Sequence, residues 1–218
     1  MFKEQIRPAI LLFIVLSIIS GIIYPLFVTG IAQMFFHNKA NGSLIYRNGK
    51  PVGSSLIGQP FDDPKYFWGR LSATSSVAFN AAASSGSNLG PSNPALISAL
   101  ESRIKALKAA DPDNKDPIPV DLVTSSSSGL DPHISLAAAY YQISRVARIR
   151  GLSQDIVRRI VSQYARGRFL GVIGEPIVNV LEVNLALDAQ PPARQAHGFA
   201  VRRAHGFAVR RAQNVKLR

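Results

Sequence analysis

Cysteine is absent from the 218 residues of this sequence, so disulfide bonds and thiolate metal sites are excluded. The G-x-x-x-x-G-K-[ST] loop that wraps nucleotide phosphates is absent as well. No zinc-finger, RNP or basic-zipper pattern occurs, which leaves no recognisable nucleic-acid-binding motif. Because disulfide bonds are excluded, any compact domain in this chain must be stabilised by its hydrophobic core.

Acidic residues are missing from residues 189–218, which carry seven basic residues. The preceding 188 residues carry 18 basic and 13 acidic ones, so more than half of the net charge of +12 lies in this last stretch. The sequence HGFAVRRA occurs twice there, at 197–204 and 205–212. We predict that 189–218 is a basic, disordered tail that can at most touch anionic lipid or a partner, and we expect no nucleic-acid partner.

Charged residues and histidine are missing from the 29 residues 8–36. About 20 apolar residues suffice for a helix to cross a bilayer, and a signal peptide has an apolar region of only about 7 to 15 residues. A buried helix of a soluble protein would show a polar stripe, which this run lacks. We predict a transmembrane helix over 8–36. Since one helix encloses no solute pathway, the chain cannot transport anything alone.

Small residues inside the span suggest that it packs against other helices. Ser17 and Gly21 are four residues apart, which lets a second helix backbone approach closely, and Pro25 can kink the helix one turn later. Lys3 and Arg7 precede the span, so residues 1–7 are predicted to be cytoplasmic. The bulk of the chain would then lie outside the cytoplasm.

Residues 37–188 have the length of one domain and the patterns of a mixed α+β fold. Asn48-Gly49 predicts a type I′ hairpin between Leu44–Arg47 and Lys50–Ile57. Val120, Leu122 and Val123 indicate a short strand. Apolar residues at period two from Ile177 to Leu187 indicate a closing strand.

Three helices are predicted from their start signals. Asn93 followed by Pro94 predicts a helix to about Ala110. Asp131 followed by Pro132 predicts a capped helix that ends at Gly151, and Ser153 predicts a third helix.

The aromatic cluster Phe61, Tyr66, Phe67 and Trp68 lies in sequence beside Asp62, Asp63 and Arg70. Aromatic residues are usually core residues, yet aromatics combined with arginine also form interface anchors. The sequence leaves both interpretations open. The Ser-, Asn- and Gly-rich stretch 72–94 that follows predicts an ordered, oxygen-rich surface loop.

Two segments are candidates for a surface that faces a partner or an ion. The first segment lies at the end of the loop 72–94 and includes the predicted start of the helix at Pro94. The second segment is a turn of small residues before the helix predicted at Pro132. Backbone N–H groups at such a helix start suit an anionic or carbonyl partner. The candidate residues are Asn88, Leu89, Gly90, Pro91, Ser92, Asn93 and Pro94, together with Gly129, Leu130, Asp131, Pro132 and His133.

Ser128, Asp131 and His133 supply the residue types of a hydrolase triad, which makes a membrane-tethered periplasmic hydrolase the alternative function. No G-x-S-x-G elbow surrounds the serine. His133 also has no companion ligand at metal-binding spacing. We therefore predict no catalytic residue and no metal site.

Several blocks of the sequence resemble the KdpC family, whose members are subunits of the Kdp potassium-transporting P-type ATPase. The resemblance covers roughly residues 5–188, and the tail has no counterpart in it. The blocks are SSLIGQPF, KYFWGRLSA, FNAAASSGSNLGPSNP, PVDLVTSSSSGLDPHIS and GEPIVNVLEVNLALD.

The resemblance implies a single-span, non-catalytic subunit of a bacterial inner-membrane complex. Its outer domain would cap the potassium-translocating KdpA, beside the ATP-hydrolysing KdpB and the small KdpF. Members of this family act as a catalytic chaperone that raises the ATP affinity of KdpB, so ATP would be shared with KdpB and potassium is the transported ion. The D-K-T-G phosphorylation motif of KdpB is absent from this chain, and we expect it to hold no cofactor of its own.

Overall fold

The computed structural model describes residues 2–190, so the predicted basic tail lies outside the described residues except for Ala189 and Gln190. The chain forms two compact units: the first is Met1–Ser54 and the second begins at Ser55.

The first unit begins with a long apolar helical segment. It consists of helix α1 (Phe2–Ile18), a π-helical turn (Ile19–Ile23) and helix α2 (Tyr24–Phe35), followed by the short helix α3 (His37–Ala40). Residues Glu4–Phe35 are long and apolar enough to cross a membrane, and none of the most apolar stretch is buried in the protein. The predicted span is therefore present as one candidate transmembrane helix.

The π-helical turn lies directly before Pro25. Proline has no N–H to donate to the carbonyl four residues earlier, and here the N–H of Tyr24 donates to Ile19 O, five residues back. Pro25 therefore follows a widened turn that contains Gly21, and a kink at Pro25 stays a prediction. Ser17 lies at the end of α1, and its role with Gly21 in packing against other helices stays a prediction.

The Asn48-Gly49 hairpin is confirmed. Strands β1 (Leu44–Arg47) and β2 (Lys50–Ser54) pair antiparallel, and both turn residues have positive φ, +52° and +74°, as a type I′ turn requires. The second strand is shorter than predicted, since it ends at Ser54 and not at Ile57. The Ser54 hydroxyl donates to Gly42 O at 2.7 Å.

The second unit is a mixed α/β domain, which agrees with the predicted fold class. After a 3₁₀ turn at Ala81–Ala83 its helices are α4 (Pro94–Ala110), α5 (Leu136–Arg150), α6 (Gln154–Tyr164) and α7 (Val180–Asp188). Its strands are β3 (His133–Ser135), β4 (Ala165–Arg166) and β5 (Ile177–Asn179). They form one antiparallel sheet in the order β3-β5-β4, in which Ile134 pairs with Val178.

Helix α5 lies at the centre of the core, and α6, β3 and β5 pack around it. Two predicted helix starts are confirmed, because Asn93 and Ser153 accept N–H bonds from Ala95 and Ile156. The predicted end of α5 is also confirmed: Gly151 adopts the left-handed conformation, φ +64°. The fully buried core side chains include Phe67, Leu107, Leu122, Ile134, Ile143, Val146, Val157, Val161, Val178 and Leu187.

The strand predicted at Val120–Val123 is wrong. Val120–Leu122 is a 3₁₀ turn, in which the N–H groups of Leu122 and Val123 donate to Pro119 O and Val120 O. These local bonds occupy the backbone that a strand would need, and only Leu122 is buried.

The start predicted for α5 is wrong as well. The Asp131 carboxylate accepts the N–H of His133 and so closes a local turn. His133–Ser135 then pairs with β5 as β3, and the cap of α5 is Ser135, whose hydroxyl accepts the N–H of Ala138 at 3.0 Å.

The closing strand is only partly correct. Strand β5 stops at Asn179, whose side chain caps α7 by accepting the N–H of Glu182 at 3.1 Å. The buried residues of α7 then recur at helical spacing: Val180, Leu181, Val183, Asn184 and Leu187. Val183 and Leu187 fit both periods, so the apolar pattern alone does not separate a strand from a helix here.

Candidate functional site

The chain enters the candidate site through Phe67 and Trp68, which two buried carboxamides hold in place. Asn184 accepts the Phe67 N–H at 2.8 Å and donates to Phe67 O at 3.0 Å. Gln142 does the same for Trp68, at 2.8 and 3.1 Å. Each carboxamide thus pairs with one residue as a neighbouring strand would, so the chain is fixed between α5 and α7.

The Trp68 ring contacts a guanidinium carbon from each of two arginines, with Arg145 at 4.7 Å and Arg103 at 5.0 Å from its centroid. Arg145 also donates to Pro64 O and to the Gln142 side chain. Burial lowers the pKa of Arg145 to about 10, so it remains charged at neutral pH. Because Phe67 and Trp68 are buried, the core interpretation holds for these two aromatics.

Arg70 pairs with Asp131, which lies two residues before β3. Its Nη1 lies 3.3 Å from Asp131 Oδ2, and its Nη2 donates to Ser125 O at 3.1 Å. The other carboxylate oxygen, Oδ1, accepts the backbone N–H of His133 at 2.9 Å and lies 3.2 Å from His133 Nδ1. These three side chains are 23% to 30% exposed, so the cluster sits at the surface with one side open.

The charge of Asp131 is stabilised by this cluster. Burial favours its neutral form, but the hydrogen bonds from His133 and the charge of Arg70 outweigh burial and hold the pKa of Asp131 below its usual 3.8. The folded state therefore binds fewer protons at Asp131 than the unfolded state does. Its contribution to stability is complete above the unfolded pKa and is lost as the pH falls through the folded one.

Asp131→Asn is expected to lower the free energy of unfolding by about 1 kcal/mol at neutral pH, since the pair is partly open to solvent. The difference from wild type should shrink as the pH falls from about 5 to about 3. Urea unfolding of the full chain in detergent, followed by the fluorescence of the single tryptophan, Trp68, measures both. Asp113→Asn, at an exposed position, is the control. A difference that does not vary with pH would contradict the role given to Asp131.

Two buried nitrogen atoms of the cluster, Arg70 Nε and His133 Nε2, have no hydrogen-bond partner among the described residues. Buried polar groups are nearly always paired. The cluster therefore retains one donor on Arg70 and one ring nitrogen on His133 that a neighbouring group can satisfy.

The loop after Arg70 packs on the turn that precedes Asp131. The Ser72 hydroxyl donates to Gly129 O at 2.8 Å and accepts the Phe79 N–H at 2.8 Å. Further along, Ser128 O accepts the Ser85 N–H at 3.0 Å. The loop is irregular but is tied to the turn by specific bonds, as expected for an ordered surface loop.

The two predicted segments differ in their environment. Most of residues 88–94 are exposed, and Asn93 is occupied in capping α4. Residues 129–133 are buried or partly buried around Asp131. No hydrogen bond between described residues joins the two segments directly. Ser84 and Ser85, which precede the first segment in the chain, both donate to the carbonyl oxygen of Ser128, which directly precedes the second.

The hydrolase triad is not assembled. The Ser128 hydroxyl oxygen accepts the N–H of Leu130 at 3.2 Å, and His133 Nε2, which would have to take the serine proton, has no partner among residues 2–190. The structure does not support the hydrolase alternative. Within the same residues no three His, Asp or Glu side chains form a group that could hold a metal ion.

Sequence reasoning missed Ser72, Gln142 and Asn184. Gln142 and Asn184 interrupt the apolar faces of α5 and α7, and a polar side chain on a buried face requires a partner. That signal identifies the positions but not the backbone they pair with. Nothing in the local sequence marks Ser72.

These features define a class: a protein with one candidate transmembrane helix and a small α/β domain, whose polar surface cluster shows no assembled catalytic triad in the described residues. The family model described as KdpC, the K⁺-transporting ATPase c chain, matches residues 6–189. The chain belongs to the KdpC family. The match ends where the basic tail begins.

Curated relatives agree with this family over nearly their whole length. The potassium-transporting ATPase KdpC subunit of Methylococcus capsulatus is 60% identical over 186 residues, covering 85% of this chain and 98% of the relative. The protein of the same name from Dechloromonas aromatica is 61% identical over 187 residues, 86% of this chain and 98% of the relative. That from Herpetosiphon aurantiacus is 62% identical over 182 residues, 84% and 94% respectively.

Proposed function

We propose that this chain is a non-catalytic accessory subunit of a high-affinity, ATP-driven potassium uptake complex in a bacterial inner membrane. The observation that carries the proposal is the family match over residues 6–189, which includes both the apolar helix and the second unit. Relatives about 60% identical are named as subunits of a potassium-transporting ATPase.

The N-terminus lies in the cytoplasm and the second unit lies outside it, where it caps the potassium-translocating KdpA. Lys3 and Arg7, which precede the uncharged run 8–36, support this orientation. The helix packs against membrane helices of the complex, and Ser17 and Gly21 offer a face for close approach. The ATP-hydrolysing KdpB and the small KdpF are its further partners.

The chain assists assembly and raises the ATP affinity of KdpB through contacts within the complex. ATP is the substrate of KdpB and potassium is the transported ion, so neither is a resident cofactor of this chain. A coupling of this kind requires that the chain bind differently to the nucleotide-bound and nucleotide-free states of the complex.

Co-purification tests the membership. A tag on this chain should retain KdpA and KdpB from detergent-solubilised membranes, and the complex should hydrolyse ATP in response to potassium. ATP titration with and without this chain then tests the effect on affinity. A chain that purifies alone would refute the assignment.

The working surface is placed at residues 88–94 and 129–133. We expect Asn88→Ala combined with Ser92→Ala and His133→Gln to lower potassium-stimulated ATP hydrolysis and growth at limiting potassium. Asn93, Pro94 and Asp131 are left in place because they hold local structure.

The matched control changes exposed residues of another loop, Asp113→Ala with Lys115→Ala, and should leave both readouts unchanged. Full activity of the triple variant would refute this placement of the surface while leaving membership in the complex intact.

A further inference from the structure

A short apolar tip projects from the second unit between β4 and β5. We define the apolar tip as Phe169–Ile173, in which every residue but Gly171 is a large hydrophobic one, and these four side chains are 61% to 78% exposed. They make up four of the ten large hydrophobic side chains that are exposed in the described part of the second unit. Contiguous exposed apolar residues mark interaction sites more often than scattered ones do.

The backbone of the apolar tip is closed on itself. Phe169 N–H donates to Ile173 O at 2.8 Å and Ile173 N–H donates to Phe169 O at 3.0 Å. Leu170 and Gly171 have positive φ, +51° and +77°. A leucine in that region is uncommon because its Cβ crowds the backbone, yet Leu170 is the most exposed of the four. The tip is thus a preformed turn that holds an apolar side chain outward, and a preformed shape reduces the entropy lost on docking.

The charges beside the tip argue against a lipid surface as its occupant. Arg166 is already paired with Glu182 at 2.9 Å, and Arg168, the one further basic residue of the segment 165–177, is accompanied in that segment by Glu175. Recognition of anionic lipid generally uses clusters of about four to eight basic residues. The segment 165–177, with two basic residues and one acidic residue, lacks such a cluster, which fits an apolar protein pocket better.

We propose that the apolar tip inserts into an apolar pocket on the extracytoplasmic surface of a polytopic subunit of the same ATPase. This rests on the proposed function, which requires a protein contact outside the membrane. Four side chains on one turn form an anchor smaller than the roughly 800 Å² per partner of a stable interface. The tip therefore fixes the position of the second unit, while the membrane helix contributes separately to assembly.

Site-specific crosslinking in intact membranes tests the contact. A photo-crosslinking residue replaces Val172 in the full chain expressed with the other subunits, and Val120, which is 71% exposed against 74% for Val172, is the matched control position. The proposal expects an adduct with another subunit from position 172 and much less from position 120. Adducts with lipid alone, adducts with a second copy of this chain, or no adduct would each overturn it.

A double variant, Leu170→Asp with Val172→Asp, tests the consequence. Docking of two aliphatic side chains strengthens a contact by at least about tenfold. After stringent washing, the amount of the variant retained on tagged KdpB should therefore be at least about tenfold lower than that of wild type. Alternatively, the concentration of the variant needed for full ATP hydrolysis should be higher by the same factor. Val120→Asp should match wild type, and Trp68 fluorescence confirms folding of each variant.

The outcomes separate the two levels of inference. If wild type and the double variant are retained and active to the same extent, the docking of the apolar tip is refuted and the proposed function stands. If wild type itself is not retained, the proposed function fails and the tip proposal fails with it.

Discussion

Asn184→Leu is expected to lower the free energy of unfolding of the second unit by about 3 kcal/mol or more. The Phe67 N–H and C=O groups both form hydrogen bonds to the Asn184 side chain. Leucine has a similar volume but forms no hydrogen bonds, so both groups would lose these partners. Phe67 is fully buried, and each unsatisfied buried group costs about 1–3 kcal/mol. Urea unfolding of the full chain in detergent measures this directly, because Trp68 is adjacent and is the single tryptophan.

Gln163→Leu is the control for Asn184→Leu. Gln163 is an exposed carboxamide on α6, and its replacement should change the free energy of unfolding by less than about 0.5 kcal/mol. An equal effect of both variants would show that the loss of any helical carboxamide, and not the pairing with Phe67, is responsible.

Asn184→Asp adds a test of the mechanism. A carboxylate can still accept the hydrogen bond from the Phe67 N–H, but it has no hydrogen to donate to Phe67 O. This repulsion between oxygens and the burial of the site both raise the pKa of the carboxyl group that the substitution introduces. The folded variant then binds a proton more tightly than the unfolded one does. Its stability relative to wild type should be lowest at neutral pH and recover as the pH falls.

The helices with a local start signal were predictable because each signal acts within a few residues. Asn93, Ser153 and Gly151 satisfy backbone groups at the ends of α4, α6 and α5. The turn at Asn48-Gly49 needs positive φ at both residues, which few other dipeptides provide. These predictions depend on no distant part of the chain.

The predicted start of α5 failed because the true start depends on distant residues. Asp131 could have capped a helix, but pairing of Ile134 with Val178, which is 44 residues away, extends the chain into β3 first. Tertiary pairing thus overrode the local cap signal at Asp131. The closing strand failed for a local reason instead: the strand indicated by the period-two pattern after Ile177 ends early because Asn179, three residues before Glu182, caps a helix.

The sequence identified two residues of the polar cluster but not the contacts that assemble it. Asp131 and His133 were singled out from the sequence, and they do contact one another. Arg70 lies close in sequence to Asp62 and Asp63, but it pairs with Asp131, 61 residues away. A contact of that separation leaves no periodic or short-range signal, so only the folded chain reveals it.

Gly129→Ala is expected to have an effect comparable to that of Asn184→Leu and to disturb the candidate site itself. Gly129 has φ +68°, and a Cβ there would lie 2.6 Å from Ser85 O and 2.7 Å from Thr74 Cγ2. The left-handed conformation costs an alanine about 1–2 kcal/mol, and the forced displacement of a packed backbone adds about 1–3 kcal/mol. The free energy of unfolding should therefore fall by about 2–5 kcal/mol, and potassium-stimulated ATP hydrolysis should fall as the loop moves off the turn.

Two further glycines separate the causes of the Gly129→Ala effect. Gly171 has φ +77° with no atom within 4 Å of its would-be Cβ, and Gly90 has neither a positive φ nor a neighbour that close. Gly171→Ala should cost only the conformational part, about 1–2 kcal/mol of stability, and Gly90→Ala should be nearly neutral. If Gly129→Ala costs no more than Gly171→Ala, backbone strain alone explains it and the loop is not pressed against the turn. A larger cost, with lost ATP hydrolysis, shows that close packing of residues 72–86 on the turn at Gly129 maintains the surface around Asp131.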